Sequence, residues 1–157
     1  SEPAIPGTFV IDRPASWTTL DHPDARRNMG TARYSLTFRL PEIAADDWIL
    51  DLGDVRESAR VHINGQPAGT VWAVPFRLKV GDYLVPGVNR IDVDVTNLPA
   101  NRIADYDRRK TVWRIFKEIN MVNLDYQQKQ YDKWEPMPSG LNSPVRLIPV
   151  ATKQVSP

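Results

Sequence analysis

Strict alternation of apolar and polar residues in two segments constrains the fold of this chain more than any other feature. Along residues 31–40 and 91–95, every second side chain is apolar: Tyr34, Leu36, Phe38 and Leu40, then Ile91, Val93 and Val95. Successive side chains of a β-strand point to opposite faces. Both segments are therefore predicted to be strands that bury one face and expose the other.

A hairpin is predicted between them. In the segment 58–63, Ala59, Val61 and Ile63 alternate with polar residues, and Asn64-Gly65 follows at once. Asn-Gly is the strongest short hairpin signal, because both residues tolerate positive φ. Pro67 and Gly69 interrupt the return strand, which predicts a bulge or an edge position.

Other short apolar segments extend the pattern at 7–12, 47–53, 76–80 and 143–150. Their expected inward side chains include Phe76, Leu78, Val80, Val145 and Leu147. About eight short strands separated by turns, with no alternation of strands and helices, predict an antiparallel β-sandwich or jelly roll.

A long polar and aromatic segment, residues 98–141 (the excursion), interrupts this pattern. It exceeds the usual length of a loop, and such segments are commonly functional or packed as a subdomain. Residues 111–122 within it are compatible with a short helix or an irregular strand. We expect a linker remnant at 1–6, one β-sandwich domain at 7–150 and a tail at 151–157.

Composition excludes several classes of function. The net charge is +1, so no strong one-signed field favours a nucleic acid or an anionic membrane as partner. No apolar run approaches the length of a membrane-spanning helix. The chain has no cysteine, which removes disulfides, thiolate nucleophiles and cysteine-based zinc sites. We expect no cofactor, although a structural Ca²⁺ held by loop oxygens stays open.

Several motifs resemble the sugar-binding domain of glycoside hydrolase family 2, which has a galactose-binding-like jelly-roll fold. They are a turn rich in carboxylates, a VxINGxxxG hairpin, an aromatic-proline strand and PGxNxIxVxVTN, here at 52–57, 61–69, 72–76 and 86–97. VWAVPFRLKV and SGLNSPVRL are most similar to the C-terminal jelly rolls of family 106 α-L-rhamnosidases and related pectin-degrading bacterial enzymes.

The resemblance implies an accessory domain of an exported bacterial polysaccharide-degrading enzyme, in the periplasm or outside the cell. Its implied partners are an oligo- or polysaccharide of the plant cell wall, in particular pectin containing rhamnose, and the catalytic domain of the same polypeptide. Because fold alone does not determine function, two roles stay open: a module that binds carbohydrate, and a structural domain that supports a catalytic domain without binding sugar.

Catalysis by this chain itself is not expected. A glycosidase needs two carboxylates on opposite sides of the bond that it cleaves. Asp92 and Asp94, like Asp105 and Asp107, are two residues apart, and on a strand such pairs share a face. We expect the first pair to face solvent and the second to form ion pairs with Arg102, Arg108 or Arg109.

Sugar binding requires less: a flat aromatic surface for the C–H face of a pyranose and planar polar groups for its hydroxyls. The candidate carbohydrate-binding residues are Trp72, Asn101, Arg102, Asp105, Tyr106, Asp107, Arg108, Trp113 and Trp134. For Trp113 the alternative is an apolar anchor that packs the excursion onto the sandwich. The alternation around Trp72 allows either an inward or an outward side chain, so the hairpin is interpreted first as a core element.

Overall fold

The structure is a computed structural model that describes residues 2–5, 7–114 and 129–151. Within these ranges it contains nine strands: β1 (Thr31–Arg39), β2 (Asp47–Asp51), β3 (Val55–Arg56), β4 (Ser58–Ile63), β5 (Gln66–Val71), β6 (Arg77–Lys79), β7 (Val88–Thr96), β8 (Gly140–Leu141) and β9 (Arg146–Val150). Two helices, α1 (Pro23–Arg26) and α2 (Ala100–Arg108), and short 3-10 turns at Trp17–Thr19 and Gly81–Tyr83 complete the described elements.

The strands form antiparallel sheets, which confirms the predicted all-β sandwich. A four-stranded sheet has the order β1-β7-β4-β5, a three-stranded sheet has the order β6-β2-β9, and β3 pairs with β8. The predicted inward residues of β4 and β7 are all buried between the two larger sheets, together with Leu50 and Val80. Removing this apolar surface from water is the main force that holds the two sheets together.

The hairpin between β4 and β5 follows the sequence prediction. Asn64 and Gly65 adopt φ values of 52° and 80°, the positive pair that a two-residue turn of this kind requires. The β4–β5 register shifts between Val61 and His62, and β5 is an edge strand of its sheet. Both the bulge and the edge position were expected from Pro67 and Gly69.

Two strand predictions are wrong. Residues 7–12 form no strand, and Val10 is 96% exposed, because no neighbouring strand pairs with this segment. Leu36 was expected to point into the core but is 58% exposed, although Tyr34 and Phe38 on the same face pack against the core. The strand β1 lies at the edge of its sheet, where the facing sheet covers fewer side chains.

The helix of the excursion begins earlier than the sequence suggested. Helix α2 follows β7 almost directly and ends where Lys110 adopts a left-handed φ of 53°. Of the segment 111–122, residues 111–114 have no regular secondary structure, and the remainder lies outside the described residues. In the described part of the chain, no helix has the length and apolar character needed to cross a membrane.

Candidate functional site

The inward face of α2 is polar, which is unusual for a helix packed on a sandwich. Asn101 and Arg102 are buried there, and Arg102 is only 2% exposed. The side chain of Asn101 donates to the carbonyl of Met137 at 2.9 Å and accepts from its backbone N–H at 2.7 Å. These two bonds satisfy the buried amide of Asn101. They also hold the second half of the excursion against the helix.

Asp105 is the centre of a buried ionic cluster. Its carboxylate accepts hydrogen bonds from Arg102 at 2.8 Å, from Arg109 at 2.8 Å and from Arg27 at 3.2 Å. Three guanidinium groups thus share one carboxylate, and Arg102 also pairs with Glu2. The expected ion pairs of Asp105 with Arg102 and Arg109 are present. The carboxylate of Asp105 is therefore engaged by partners within the protein.

Tyr106 lies against the same cluster. The Arg102 guanidinium carbon is 4.4 Å from the centroid of the Tyr106 ring, and that of Arg109 is 5.9 Å away. The phenol also donates to Glu2 at 3.4 Å. Cations at these distances stabilise an aromatic ring through its electron-rich face. The ring of Tyr106 is therefore already engaged by the protein.

Asp107 organises the next turn of the chain. One carboxylate oxygen accepts from the indole N–H of Trp113 at 2.7 Å, and the other accepts from Arg114 at 3.1 Å and from the Tyr131 backbone at 2.9 Å. Burial opposes ionisation, but these donors and the Arg114 charge outweigh it and lower the pKa of Asp107. Asp107 therefore joins residues 113–114 to residue 131 as a carboxylate.

The assumption that Asp105 and Asp107 lie on a strand is wrong, because both belong to α2. Residues two apart on a helix point to different sides, and these two contact separate sets of partners. That these two carboxylates do not oppose each other across a bound sugar stays a prediction. It is supported by their two separate hydrogen-bond networks.

Arg108 differs from the other arginines of α2. It donates through Nε to the Asp132 carbonyl at 2.8 Å and through Nη2 to the Trp134 carbonyl. Of the three arginines expected as alternative partners of Asp105 and Asp107, Arg102 and Arg109 pair with Asp105, whereas Arg108 donates to backbone carbonyls among the described residues. Arg108 therefore fixes the segment 132–134, and among the described residues it forms no ion pair with a carboxylate.

Two clefts adjoin at the C-terminal end of α2 and share Arg108 and Asp132. The first, of about 560 Å³, is lined by Asp107, Arg108, Lys110, Thr111, Val112, Trp113, Arg114, Gln130 and Asp132. The second, of about 410 Å³, is lined by Pro23, Arg26, Arg27, Asp105, Arg108, Asp132, Lys133, Trp134, Glu135 and Pro136. We call these the first and second α2 clefts.

Each α2 cleft contains one of the predicted tryptophans. Trp113 is half-buried in the first, with the Arg114 guanidinium 4.6 Å from its ring. Trp134 is exposed in the second and packs edge-on against Tyr131, with centroids 4.5 Å apart. The structure thus brings Asp105, Asp107, Arg108, Trp113 and Trp134 to these clefts, whereas Asn101, Arg102 and Tyr106 lie along α2 away from their lining.

Trp72 lies elsewhere, just after the end of the edge strand β5. Val71 points into the core, so Trp72 points outward and is 77% exposed, followed by Val74 at 84%. The structure therefore shows that the Trp72 side chain points outward, which the alternation in the sequence left open. Trp72 and the α2 clefts are separate candidate surfaces.

Sequence reasoning did not identify the contribution of α1 to the second α2 cleft. Arg26 and Arg27 lie far from α2 in the sequence, and Arg27 reaches Asp105 across 78 positions. No local pattern encodes such a contact. Within the described ranges, no group of three or more histidine, cysteine or acidic side chains is placed to hold a metal ion.

Comparisons with known proteins place this fold among sugar hydrolases. No protein-family model matches the chain. It is 29% identical over 164 residues to the "Putative beta-glucuronidase" of Formosa agariphila, covering 92% of this chain and 14% of that protein.

Two solved structures agree. A rhamnosidase from Novosphingobium sp. PP1Y matches with a TM-score of 0.68 and 26% identity, over 94% of this chain and 13% of its own. The β-glucuronidase of Bifidobacterium dentium matches with a TM-score of 0.52 and 27% identity, over 60% and 16%. The chain thus spans 13–16% of the length of these relatives. In sequence and fold, it is similar to a β-sandwich domain of larger glycoside hydrolases.

Proposed function

We propose that this chain is a non-catalytic carbohydrate-recognition domain of a bacterial polysaccharide-degrading enzyme, and that it binds sugar in the α2 clefts. The observation that carries the proposal is the arrangement of Trp113 and Trp134 in adjoining clefts on either side of Arg108. An aromatic surface beside a planar donor is what a pyranose requires for its C–H face and its hydroxyls.

The substrate class that we propose is plant cell-wall pectin containing rhamnose. The similarity to a rhamnosidase over 94% of the chain supports this choice. We further propose the finer assignment to the C-terminal jelly rolls of family 106 α-L-rhamnosidases, on the motifs VWAVPFRLKV and SGLNSPVRL. The host enzyme acts in the periplasm or outside the cell, where such polymers are found, and its catalytic domain is the second partner of this module.

Two of the four acidic residues that line the α2 clefts, Asp105 and Asp107, are engaged within the fold, and this supports a non-catalytic function. A glycosidase presents two carboxylates to the scissile bond, one as acid and one as base or nucleophile. Here Asp105 binds three arginines, and Asp107 binds Trp113, Arg114 and the Tyr131 backbone. Both carboxylates maintain the shape of the site, and their lone pairs are occupied.

Calorimetric titration with pectic oligosaccharides tests the proposal on the wild type and on Trp134→Ala, Trp113→Ala and Arg108→Ala. Loss of one stacking tryptophan is expected to weaken binding by about five- to tenfold, corresponding to about 1 kcal/mol. Trp72→Ala is the matched control, because its tryptophan is exposed outside the clefts. Thermal unfolding of each variant separates lost binding from lost folding. Absence of heat with every pectic ligand contradicts the proposal.

A structural domain that supports a catalytic domain is the second candidate, and the exposed pair Trp72 and Val74 favours it. Neighbouring exposed apolar side chains of this size are typical of a surface that another domain covers. This role predicts that the chain self-associates in solution and that Trp72→Ser abolishes the association. Sedimentation equilibrium distinguishes the two roles, because a binding module is expected to be monomeric.

A further inference from the structure

Most arginines around α2 are neutralised by acidic partners. Arg27 pairs with Asp24 and Asp105, and Arg114 pairs with Asp107. Arg102 and Arg109 both pair with Asp105. These ion pairs neutralise the arginines within the protein, so few of their N–H groups are free to bind a ligand.

Four cations that line the α2 clefts lack such a partner. Within the part of the chain that the structure describes, the side chains of Arg26, Lys110 and Lys133 form no hydrogen bond or ion pair. Arg108 donates to two backbone carbonyls, and its Nη1 group has no recorded acceptor among the described residues. Asp132 and Glu135 are the remaining acids of the lining. The unpaired cations therefore outnumber the unpaired carboxylates at this site.

This excess is local. The whole chain carries a net charge of only +1. On the outer face of the four-stranded sheet, Arg33 and Arg90 are paired with Asp94 and Asp92. Cations without counter-charges attract an anion, and the attraction is strongest within one screening length, which is about 8 Å at physiological salt.

We propose that the α2 clefts recognise the carboxylate of a uronic-acid residue in an acidic polysaccharide. This inference rests on the proposed function, because it assigns a ligand class to the same clefts. The free edge of the Arg108 guanidinium can donate to a carboxylate, a geometry that arginine favours. Arg26, Lys110 and Lys133 supply the surrounding positive charge, and Trp113 and Trp134 supply the surfaces on which the sugar rings lie.

The test compares two polymers that differ in charge. Binding of the full chain to polygalacturonate and to carboxyl-reduced polygalacturonate is measured by affinity electrophoresis and calorimetry, at low and high NaCl. The variants are Arg26→Gln, Lys110→Gln and the double variant. These exposed cations have no partner to lose, so folding is expected to be unchanged.

Arg39→Gln is the matched control, because it removes one exposed charge at the other end of the sheet. Arg39 pairs in register with Val88, whereas α2 follows the opposite end of β7 at Thr96. Eight residue steps along the strand separate these ends by about 26 Å, which is several screening lengths.

We expect polygalacturonate to bind and the reduced polymer to bind at least about tenfold more weakly. Each single variant is expected to lose about two- to fivefold in affinity, and high salt is expected to remove the difference. Equal binding of both polymers overturns the inference while leaving sugar recognition intact. Binding of neither polymer, nor of any neutral pectic oligosaccharide, overturns the proposed function as well. If Arg39→Gln weakens binding as much as Arg26→Gln, diffuse charge explains the attraction and the inference fails.

Discussion

Arginine–aspartate pairs occur in two regions of this molecule that differ in their exposure to water. Around Asp105 the side chain of Arg102 is buried, and the pair lies on the buried face of α2. On the outer face of the four-stranded sheet, Arg33 and Arg90 are largely exposed beside Asp94 and Asp92. A buried charge that loses its partner cannot be solvated, whereas an exposed one returns to water. The same chemical pair is therefore essential in one region and dispensable in the other.

The largest effect is expected for Asp105→Ala. The substitution leaves Arg27, Arg102 and Arg109 without their shared carboxylate, and the Arg102 side chain, which is only 3% exposed, keeps Glu2 as its acidic partner. Breaking a buried ion pair from one side costs about 3–5 kcal/mol. Urea denaturation followed by circular dichroism measures the free energy of unfolding. A loss below that of an exposed pair would show that water reaches this cluster.

An intermediate effect is expected for Asp107→Ala. This substitution removes acceptors from Trp113, Arg114 and the Tyr131 backbone, all partly accessible, and should cost about 1–3 kcal/mol. It should also change the fluorescence of Trp113, whose indole N–H loses its acceptor. Asp132→Ala is the control, because among the described residues Asp132 contributes its backbone carbonyl to Arg108 and no recorded side-chain bond. Similar losses for both variants would contradict the role assigned to Asp107.

The smallest effect is expected for Asp92→Asn, at about 0.2–1 kcal/mol. The hydrogen bond from Arg90 is the main cause that lowers the pKa of Asp92 from 3.8 to about 2. A lowered pKa in the folded state means that this stabilisation is present above pH 4 and is lost as the pH falls towards 2. Unfolding measured across this range should be less sensitive to acid in the variant than in the wild type. Identical acid sensitivity would show that the exposed pair contributes nothing.

The sequence predicted the sheets well because their pattern is local. Ala59, Val61 and Ile63 repeat with the period of a strand, and Asn64-Gly65 specifies a turn through its own backbone preferences. Leu36 departs from the pattern because it lies on an edge strand. Alternation identifies the face of a strand, but only the position of the strand in the sheet determines whether that face is covered.

The sequence did not predict helix α2, because its buried face consists of Asn101, Arg102, Ala104 and Asp105. A search for apolar periodicity cannot identify a helix that buries charge. The polar and aromatic residues of the excursion were identified from the sequence, but their contacts were not. Arg27 reaches Asp105 from a distant part of the chain, and the Tyr131 backbone reaches Asp107 from the second half of the excursion. Which arginines remain free for a ligand depends on these contacts and is therefore a property of the tertiary structure.

The order of strands has a consequence for how this domain forms during synthesis on the ribosome. All four strands of the larger sheet lie between residues 31 and 96, so that sheet can assemble before the rest of the chain emerges. The smaller sheet must wait for β9 to pair with β2, and Ser16 receives its hydrogen bond from Ser139 only after 123 further residues. Until then only β2 and β6 of the smaller sheet can cover the first sheet, so part of its apolar face stays open and favours aggregation of the nascent chain.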